Sequence, residues 1–171
     1  ATAVMILRDE GKLSLDDPVS KYIPQFKDAK LDTGERPSRE ITLRDVLTHT
    51  SGLGGSQQTE ATLEQTAQEL ARRPLDFEPG AKWQYSPGLS VAGRVVEVVS
   101  GQSFADFLSE RIFQPLDMRN TTFRPAVEQQ KRLARLYEPA KDGKELARAT
   151  HWLVDFESER APNPSGGLFS T

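Results

Sequence analysis

Apolar residues along the chain recur at the spacing of helix faces, and capping residues divide them into separate helices. An opening helix closes at Gly11, and a short helix follows Asp17-Pro18 and ends at Ile23-Pro24. Each later helix carries apolar residues at i, i+3 and i+4. These helices begin at Thr42, Thr62, Ser86-Pro87 and Ser103 and end at Gly52, Pro74, Gly101 and Pro115. The pattern therefore predicts a helical layer whose apolar stripes face a core.

Two stretches depart from the helical pattern. Residues 27–40 are mostly polar, so we expect an exposed loop there. Beyond Pro125 the residues 133–137 and 145–149 flank Asp142-Gly143, which is a signal for a β-hairpin. The predicted fold class is therefore mainly α with a β-hairpin near the end of the chain.

Composition narrows the classes of function. The chain has 171 residues, with 22 Lys and Arg against 25 Asp and Glu, and a formal charge of −3. This weakly acidic balance provides no basic stripe for nucleic acid, and no apolar run approaches the roughly 20 residues that span a bilayer. The absence of Cys excludes disulfides and thiolate zinc sites, while two His and acidic pairs without calcium-loop spacing give no metal site.

Both ends of the chain predict an internal fragment of a larger protein. The first residues are already an apolar helical run without a capping box, and the chain closes on Ser170-Thr171, which is the chemistry of a helix N-cap. We expect apolar surface to be exposed along the opening helix and around Leu168 and Phe169. Exposed apolar patches usually find partners, so self-association of the fragment is expected.

Tyr85 is the first candidate for chemistry. It ends an extended stretch that begins at Lys82, and it comes just before a helix N-terminus, where backbone N–H groups favour negative charge. A phenol held there can act as a base. The alternative is a half-buried tyrosine with a satisfied hydroxyl. Trp83 shares its face, and we expect Trp83 to pack rather than react.

Two other patterns contain nucleophile chemistry. His49 and Ser51 lie two residues apart at a helix end, a spacing that points their side chains away from each other, so capping and turn roles are favoured. Ser90 lies in a near match to the nucleophile elbow, with His151 as the only candidate base downstream. The elbow lacks its last glycine, which is Ala92, and a helix has already begun at Pro87.

Several segments together resemble one family, the serine β-lactamase-like hydrolases, which include class C β-lactamases, D,D-peptidases and related esterases. The most recognisable segment is Leu-Thr-His-Thr-Ser-Gly-Leu at 47–53. The other matching segments are 3–19, 83–86, 93–101, 112–118 and 166–171. The resemblance covers nearly the whole chain.

In that family an S-x-x-K motif supplies the nucleophile and its activator, a tyrosine motif shuttles the proton, and a K-T-G motif lines the third side. The resemblance implies that Tyr85 is the catalytic tyrosine and that Ser86, Gly166 and Gly167 bind substrate. The chain contains neither S-x-x-K nor K-T-G. Where penicillin-recognising members carry Asn, this sequence has Pro87, which favours an esterase or a broad hydrolase.

The resemblance also implies an organisation and a mechanism. The chain would be the helical region of an α/β serine β-lactamase/transpeptidase-like fold. It would divide into a helical region at 1–124, a hairpin-containing segment at 125–160 and a return to the core at 161–171. The parent would hydrolyse a small-molecule ester, amide or lactam through an acyl-enzyme without a cofactor, and the chain alone would be inactive. The alternative is a non-catalytic helical scaffold or partner-binding module.

Overall fold

The computed structural model describes residues 1–55, 62–140, 143–149 and 161–170. Within these residues the α-helices are α1 (Thr2–Asp9), α2 (Leu43–Thr48), α3 (Leu63–Arg72), α4 (Gly88–Ser100), α5 (Phe104–Leu108) and α6 (Val127–Gln130). Short 3₁₀ helices cover Val19–Lys21 and Pro24–Asp28, and a single π-helical turn, Ser109–Phe113, follows α5. An antiparallel hairpin consists of β1 (Tyr137–Pro139) and β2 (Leu146–Arg148).

Helix α4 lies at the centre of the helical layer. It packs against α1, α2, α3 and α5, and its Val91, Val95 and Val96 are fully buried. Its first residue, Gly88, lies against the backbone of α2, where an added Cβ would come within 2.5 Å of the Val46 carbonyl oxygen. Only a residue without a side chain allows the two helices to approach this closely.

Helix α2 begins at the predicted capping box, in which Thr42 and Asp45 exchange hydrogen bonds with each other's backbone N–H. The Asp45 carboxylate is buried and accepts two hydrogen bonds from the Arg39 guanidinium, at 2.6 and 2.9 Å. Burial by itself raises the pKa of the Asp45 carboxyl, but the hydrogen bonds from Arg39 and Thr42 outweigh it and hold the pKa below its ordinary value. A charged, fully bonded carboxylate therefore anchors the start of α2.

The predicted end of this helix was wrong. Helix α2 ends at Thr48, and His49 follows in the left-handed conformation with φ 60°, three residues before the predicted stop at Gly52. The Thr50 amide bonds to the Asp45 carbonyl, which closes the helix at this point. The left-handed residue that ends a helix is usually glycine, and for this reason the prediction chose Gly52 instead of His49.

Two other boundaries differ from the sequence prediction. Residues 27–40 are not simply an exposed loop, because Ala29 is buried and the Lys30 carbonyl accepts a hydrogen bond from Leu75 at 2.8 Å. The first hairpin strand covers Tyr137–Pro139 rather than 133–137. Its register pairs Tyr137 with Arg148. Asp142 of the predicted turn lies outside the described residues.

The opening helix does not expose the predicted apolar face. Ala3, Val4 and Leu7 are buried in the common core, so that part of the prediction was wrong. Leu168 does remain 46% exposed. Self-association stays a prediction, as does the division of the chain at 124 and 160.

In the part of the chain that the structure describes, no helix combines the length and the apolar character needed to cross a bilayer. Among the same residues, no three His, Cys, Asp or Glu side chains gather in a way that would hold a metal ion.

Candidate active site

The end of α2 and the segment leading into α4 are joined by backbone hydrogen bonds. The amide of Gly80 bonds to the carbonyl of Thr50 at 2.7 Å, and the amide of Gln84 bonds to the carbonyl of His49 at 2.9 Å. The amide of Asp76 bonds in the same way to Gly52 at 2.8 Å. These bonds hold residues 76–84 along residues 49–52, so Tyr85 is brought next to the end of α2.

Gly52 is the residue that permits this contact. Its φ is +80°, and an added Cβ would come within 2.3 Å of the Phe77 carbonyl oxygen. Both the backbone angle and the space therefore require glycine. The neighbouring Ser51 is fully buried, and its hydroxyl accepts a hydrogen bond from the Leu53 amide, which is the turn role predicted for it. The 47–53 segment thus acts as a closely packed support.

Tyr85 lies on this support and is 70% exposed. Its ring stacks on the His49 imidazole, with 4.7 Å between ring centroids and 28° between ring planes. Its hydroxyl has no hydrogen-bond partner among the residues that the structure describes. The alternative of a half-buried tyrosine with a satisfied hydroxyl was therefore wrong.

Trp83 lies on the same face, as the alternation of side chains along an extended segment requires. It is 65% exposed, and the expectation that it packs rather than reacts stays a prediction. Its ring meets the His49 ring edge-on, with 6.1 Å between centroids. Two exposed aromatic rings thus flank one imidazole.

Ser86 is directed inward, and only 6% of it is exposed. Its amide donates to the Nδ1 atom of His49 at 3.1 Å, and its Oγ lies 3.2 Å from the same nitrogen. The amide of Gly88 donates to the Ser86 Oγ at 3.4 Å, at the start of α4. In this arrangement the Ser86 hydroxyl faces His49, and its role in substrate binding stays a prediction.

The contacts of His49 with Tyr85 and Ser86 are the feature of this site that sequence reasoning missed. The sequence favoured separate capping and turn roles for His49 and Ser51, and in the structure His49 also contacts Ser86, which lies 37 residues further along the chain. Capping explained His49 without any long-range contact, and no local pattern reveals a partner at that distance. The one available signal was a histidine in place of the usual glycine at a helix end.

Ser90 does not form a nucleophile elbow. It is fully buried within α4, and its Oγ lies 3.4 Å from the Oγ of Ser165. An elbow serine must present its Oγ to the substrate at an exposed turn. The hypothesis of Ser90 as nucleophile was therefore wrong, and its proposed base, His151, lies outside the described residues.

The segment carrying Gly166 and Gly167 lies further along α4. Pro164 packs against Gly93, and Ser165 lies beside Ser90. Ser90 itself comes four residues after Ser86, which is about one helical turn. Gly166 borders a mainly apolar cavity of about 320 Å³ between α1 and α5. No hydrogen bond joins the two glycines to Tyr85 in the described residues, and their role in substrate binding stays a prediction.

Comparison with known proteins identifies the family. Residues 1–171 match the family described as Beta-lactamase. The chain belongs to this family. The predicted resemblance to serine β-lactamase-like hydrolases is thereby confirmed, and so is the fold class: a mainly helical part, with a two-stranded hairpin, of the β-lactamase/transpeptidase fold.

Two relatives and one solved structure illustrate the match. The chain is 37% identical over 141 residues to Esterase EstB of Burkholderia gladioli, covering 72% of this chain and 35% of that protein. It is 34% identical over 152 residues to Lovastatin esterase of Penicillium rubens, covering 76% of this chain and 38% of that protein. The structure of EstCE1, a hydrolase with promiscuous acyltransferase activity, superposes with a TM-score of 0.78 at 27% identity, covering 97% of this chain and 51% of that one.

The chain thus spans between about a third and a half of the length of these proteins.

Proposed function

We propose that this chain provides the tyrosine side of the active site of a serine hydrolase that cleaves esters or amides through an acyl-enzyme. The observation that carries the proposal is the exposure of Tyr85 together with its packing. Its ring stacks on His49, which in turn accepts a hydrogen bond from the amide of the buried Ser86. Family membership supports it, because the family's tyrosine motif matches residues 83–86. The sequence contains no S-x-x-K, so the proposal places the nucleophilic serine outside these 171 residues.

In the proposed mechanism the hydroxyl of that serine attacks the substrate carbonyl carbon. As the new C–O bond forms, the serine proton passes to the pair formed by Tyr85 and the S-x-x-K lysine. Tyr85 then returns the proton to the leaving group as the scissile bond breaks. Water repeats the cycle on the acyl-enzyme and releases the acid product, with no cofactor needed.

The proposed substrate class is small-molecule esters, ahead of penicillins. Pro87 follows Ser86 at the N-cap of α4, and its ring offers no amide donor or acceptor. An Asn at this position would bind the acylamide group of a penicillin. Two relatives are named as esterases, which supports the same preference.

The test is Tyr85→Phe in a protein that joins this chain to the family's S-x-x-K and K-T-G segments. Removing one oxygen keeps the ring stack on His49 and removes the proton carrier, so kcat on a p-nitrophenyl ester should fall by about 10²-fold or more. The melting temperature should hardly change. The matched control is Tyr137→Phe, because Tyr137 is 54% exposed on the hairpin and should leave kcat unchanged.

Turnover that stays near the parental rate in Tyr85→Phe would remove Tyr85 from the mechanism. If the joined protein hydrolyses no ester or amide at all, a non-catalytic helical scaffold is favoured instead. The 171-residue chain assayed alone should hydrolyse neither nitrocefin nor p-nitrophenyl esters above background, because no serine in it has an activating lysine by motif.

A further inference from the structure

His49 ends α2 in a left-handed backbone conformation that few non-glycine residues adopt. Its φ of 60° lies in the left-handed region, where the only other described non-glycine residue is Asp117, with φ 52°. Glycine meets this angle without steric cost, and asparagine meets it more easily than most residues. A histidine at such a position is explained if its side chain does something that glycine cannot.

The His49 side chain and backbone together contact three consecutive residues. The His49 carbonyl accepts from the Gln84 amide at 2.9 Å, its ring stacks on Tyr85, and its Nδ1 accepts from the Ser86 amide at 3.1 Å. A backbone N–H only donates, so Nδ1 carries the lone pair and the proton of the neutral ring is on Nε2. The Trp83–Gln84 and Tyr85–Ser86 peptide units are therefore both bonded to one residue.

We propose that His49 is a positioning residue that sets the direction of the Tyr85 phenol. The proposal rests on the function proposed above, in which that phenol carries a proton. Because Tyr85 is 70% exposed, little other packing is available to select one rotamer of its side chain. Proton transfer requires the hydroxyl within hydrogen-bond reach of its partners, so a loss of orientation lowers the rate without removing the reacting group.

Two variants that both tolerate the left-handed angle separate this role from a folding defect. His49→Gly removes any steric cost of the left-handed backbone angle, and it also removes the imidazole ring and its Nδ1 acceptor. His49→Asn keeps an oxygen acceptor near the position of Nδ1 but has no ring. We expect kcat of the joined protein to fall about 10-fold or more in His49→Gly, with partial recovery in His49→Asn and little change in KM.

Asp117→Gly is the matched control, because it makes the same backbone change at an exposed residue away from Tyr85. It should leave kcat unchanged. A His49→Gly enzyme with parental kcat and correct folding would overturn the proposal. The double variant with Tyr85→Phe sharpens it: if His49 acts through the phenol, His49→Gly should lower kcat no further once the hydroxyl is absent.

A second readout does not depend on activity. Nitrogen NMR of the 171-residue chain should give the Nε2–H tautomer for His49, whose signal disappears in His49→Asn and leaves that of the one other histidine. Three-bond couplings should show a single χ1 rotamer for Tyr85 in the parent chain. In His49→Gly the same couplings should be averaged over several rotamers. An Nδ1–H tautomer or an unchanged Tyr85 rotamer would contradict the positioning role even if Tyr85 is catalytic. Conversely, the expected tautomer and rotamer change, observed together with an active Tyr85→Phe enzyme, would contradict only the proposed function.

Discussion

Tyr85 and Tyr137 are both exposed tyrosines, at 70% and 54%, but the structure that supports each of them differs. Tyr85 is followed by the buried Ser86 and stacks on His49, which is itself held at the end of α2. Tyr137 lies in a hairpin of two short strands whose residues are all exposed. Tyr85 is thus held by packed residues, whereas Tyr137 is supported only by a two-stranded ribbon.

The difference lies in what each segment is bonded to. The segment before Tyr85 bonds to the end of α2, and α2 in turn packs against α4 at Gly88 and is capped by the buried Asp45. The hairpin pairs mainly with itself, and an isolated two-stranded hairpin is at best marginally stable in water. Exposure alone therefore does not distinguish the two tyrosines, whereas the buried framework beneath Tyr85 does.

The largest expected effect comes from breaking that framework at Gly88. In Gly88→Ala the new Cβ would lie 2.5 Å from the Val46 carbonyl oxygen and 3.0 Å from its Cα, so α2 and α4 must move apart. We expect the free energy of unfolding to fall by about 1–3 kcal/mol in urea titrations. Gly166→Ala is the control, because nothing lies within 4 Å of its added Cβ. Equal losses in both variants would show that the helix crossing is not tightly packed.

The next effect concerns the cap of α2. Because the folded pKa of Asp45 lies below its ordinary value, the unfolded chain takes up the proton first, and the stability from this group is lost as pH falls below about 4. Asp45→Asn should lower the free energy of unfolding at neutral pH by about 2 kcal/mol and flatten its dependence on acidic pH.

Asp16→Asn is the control for this cap, since Asp16 is 73% exposed in a surface pair with Arg44 and should cost well under about 1 kcal/mol. An unchanged acid limb in Asp45→Asn would mean that other carboxyl groups dominate the acid unfolding. Both variants are measured by urea unfolding across the acidic range.

Local chemistry explains why much of the fold could be predicted from the sequence. Thr42 and Thr62 begin α2 and α3 through capping boxes, which are encoded within four residues. The buried face of α3 likewise follows from its apolar spacing. Boundaries failed where a distant partner decides them: His49 ends α2 while contacting Ser86, and the Lys30 carbonyl pairs with Leu75.

The candidate site was predictable only in part, for the same reason. Tyr85 could be proposed because a family motif surrounds it. The exposure of Trp83 and the long-range contact of His49 could not, because both depend on how the end of α2 meets the segment before α4. Ser90 was misleading, since its motif is local but its burial is set by the packing of the whole helix α4.

The smallest expected effect tests the other side of the comparison, the hairpin. Leu146 lies in β2 and is 71% exposed, so Leu146→Ser removes little buried apolar area. We expect the free energy of unfolding in urea to change by less than about 0.5 kcal/mol. Leu43→Ser at the fully buried start of α2 is the contrast, and its loss should be several times larger. A loss above about 1 kcal/mol for Leu146→Ser would mean that the hairpin packs on the helical layer in solution, and Tyr137 would then no longer serve as the unsupported counterpart of Tyr85.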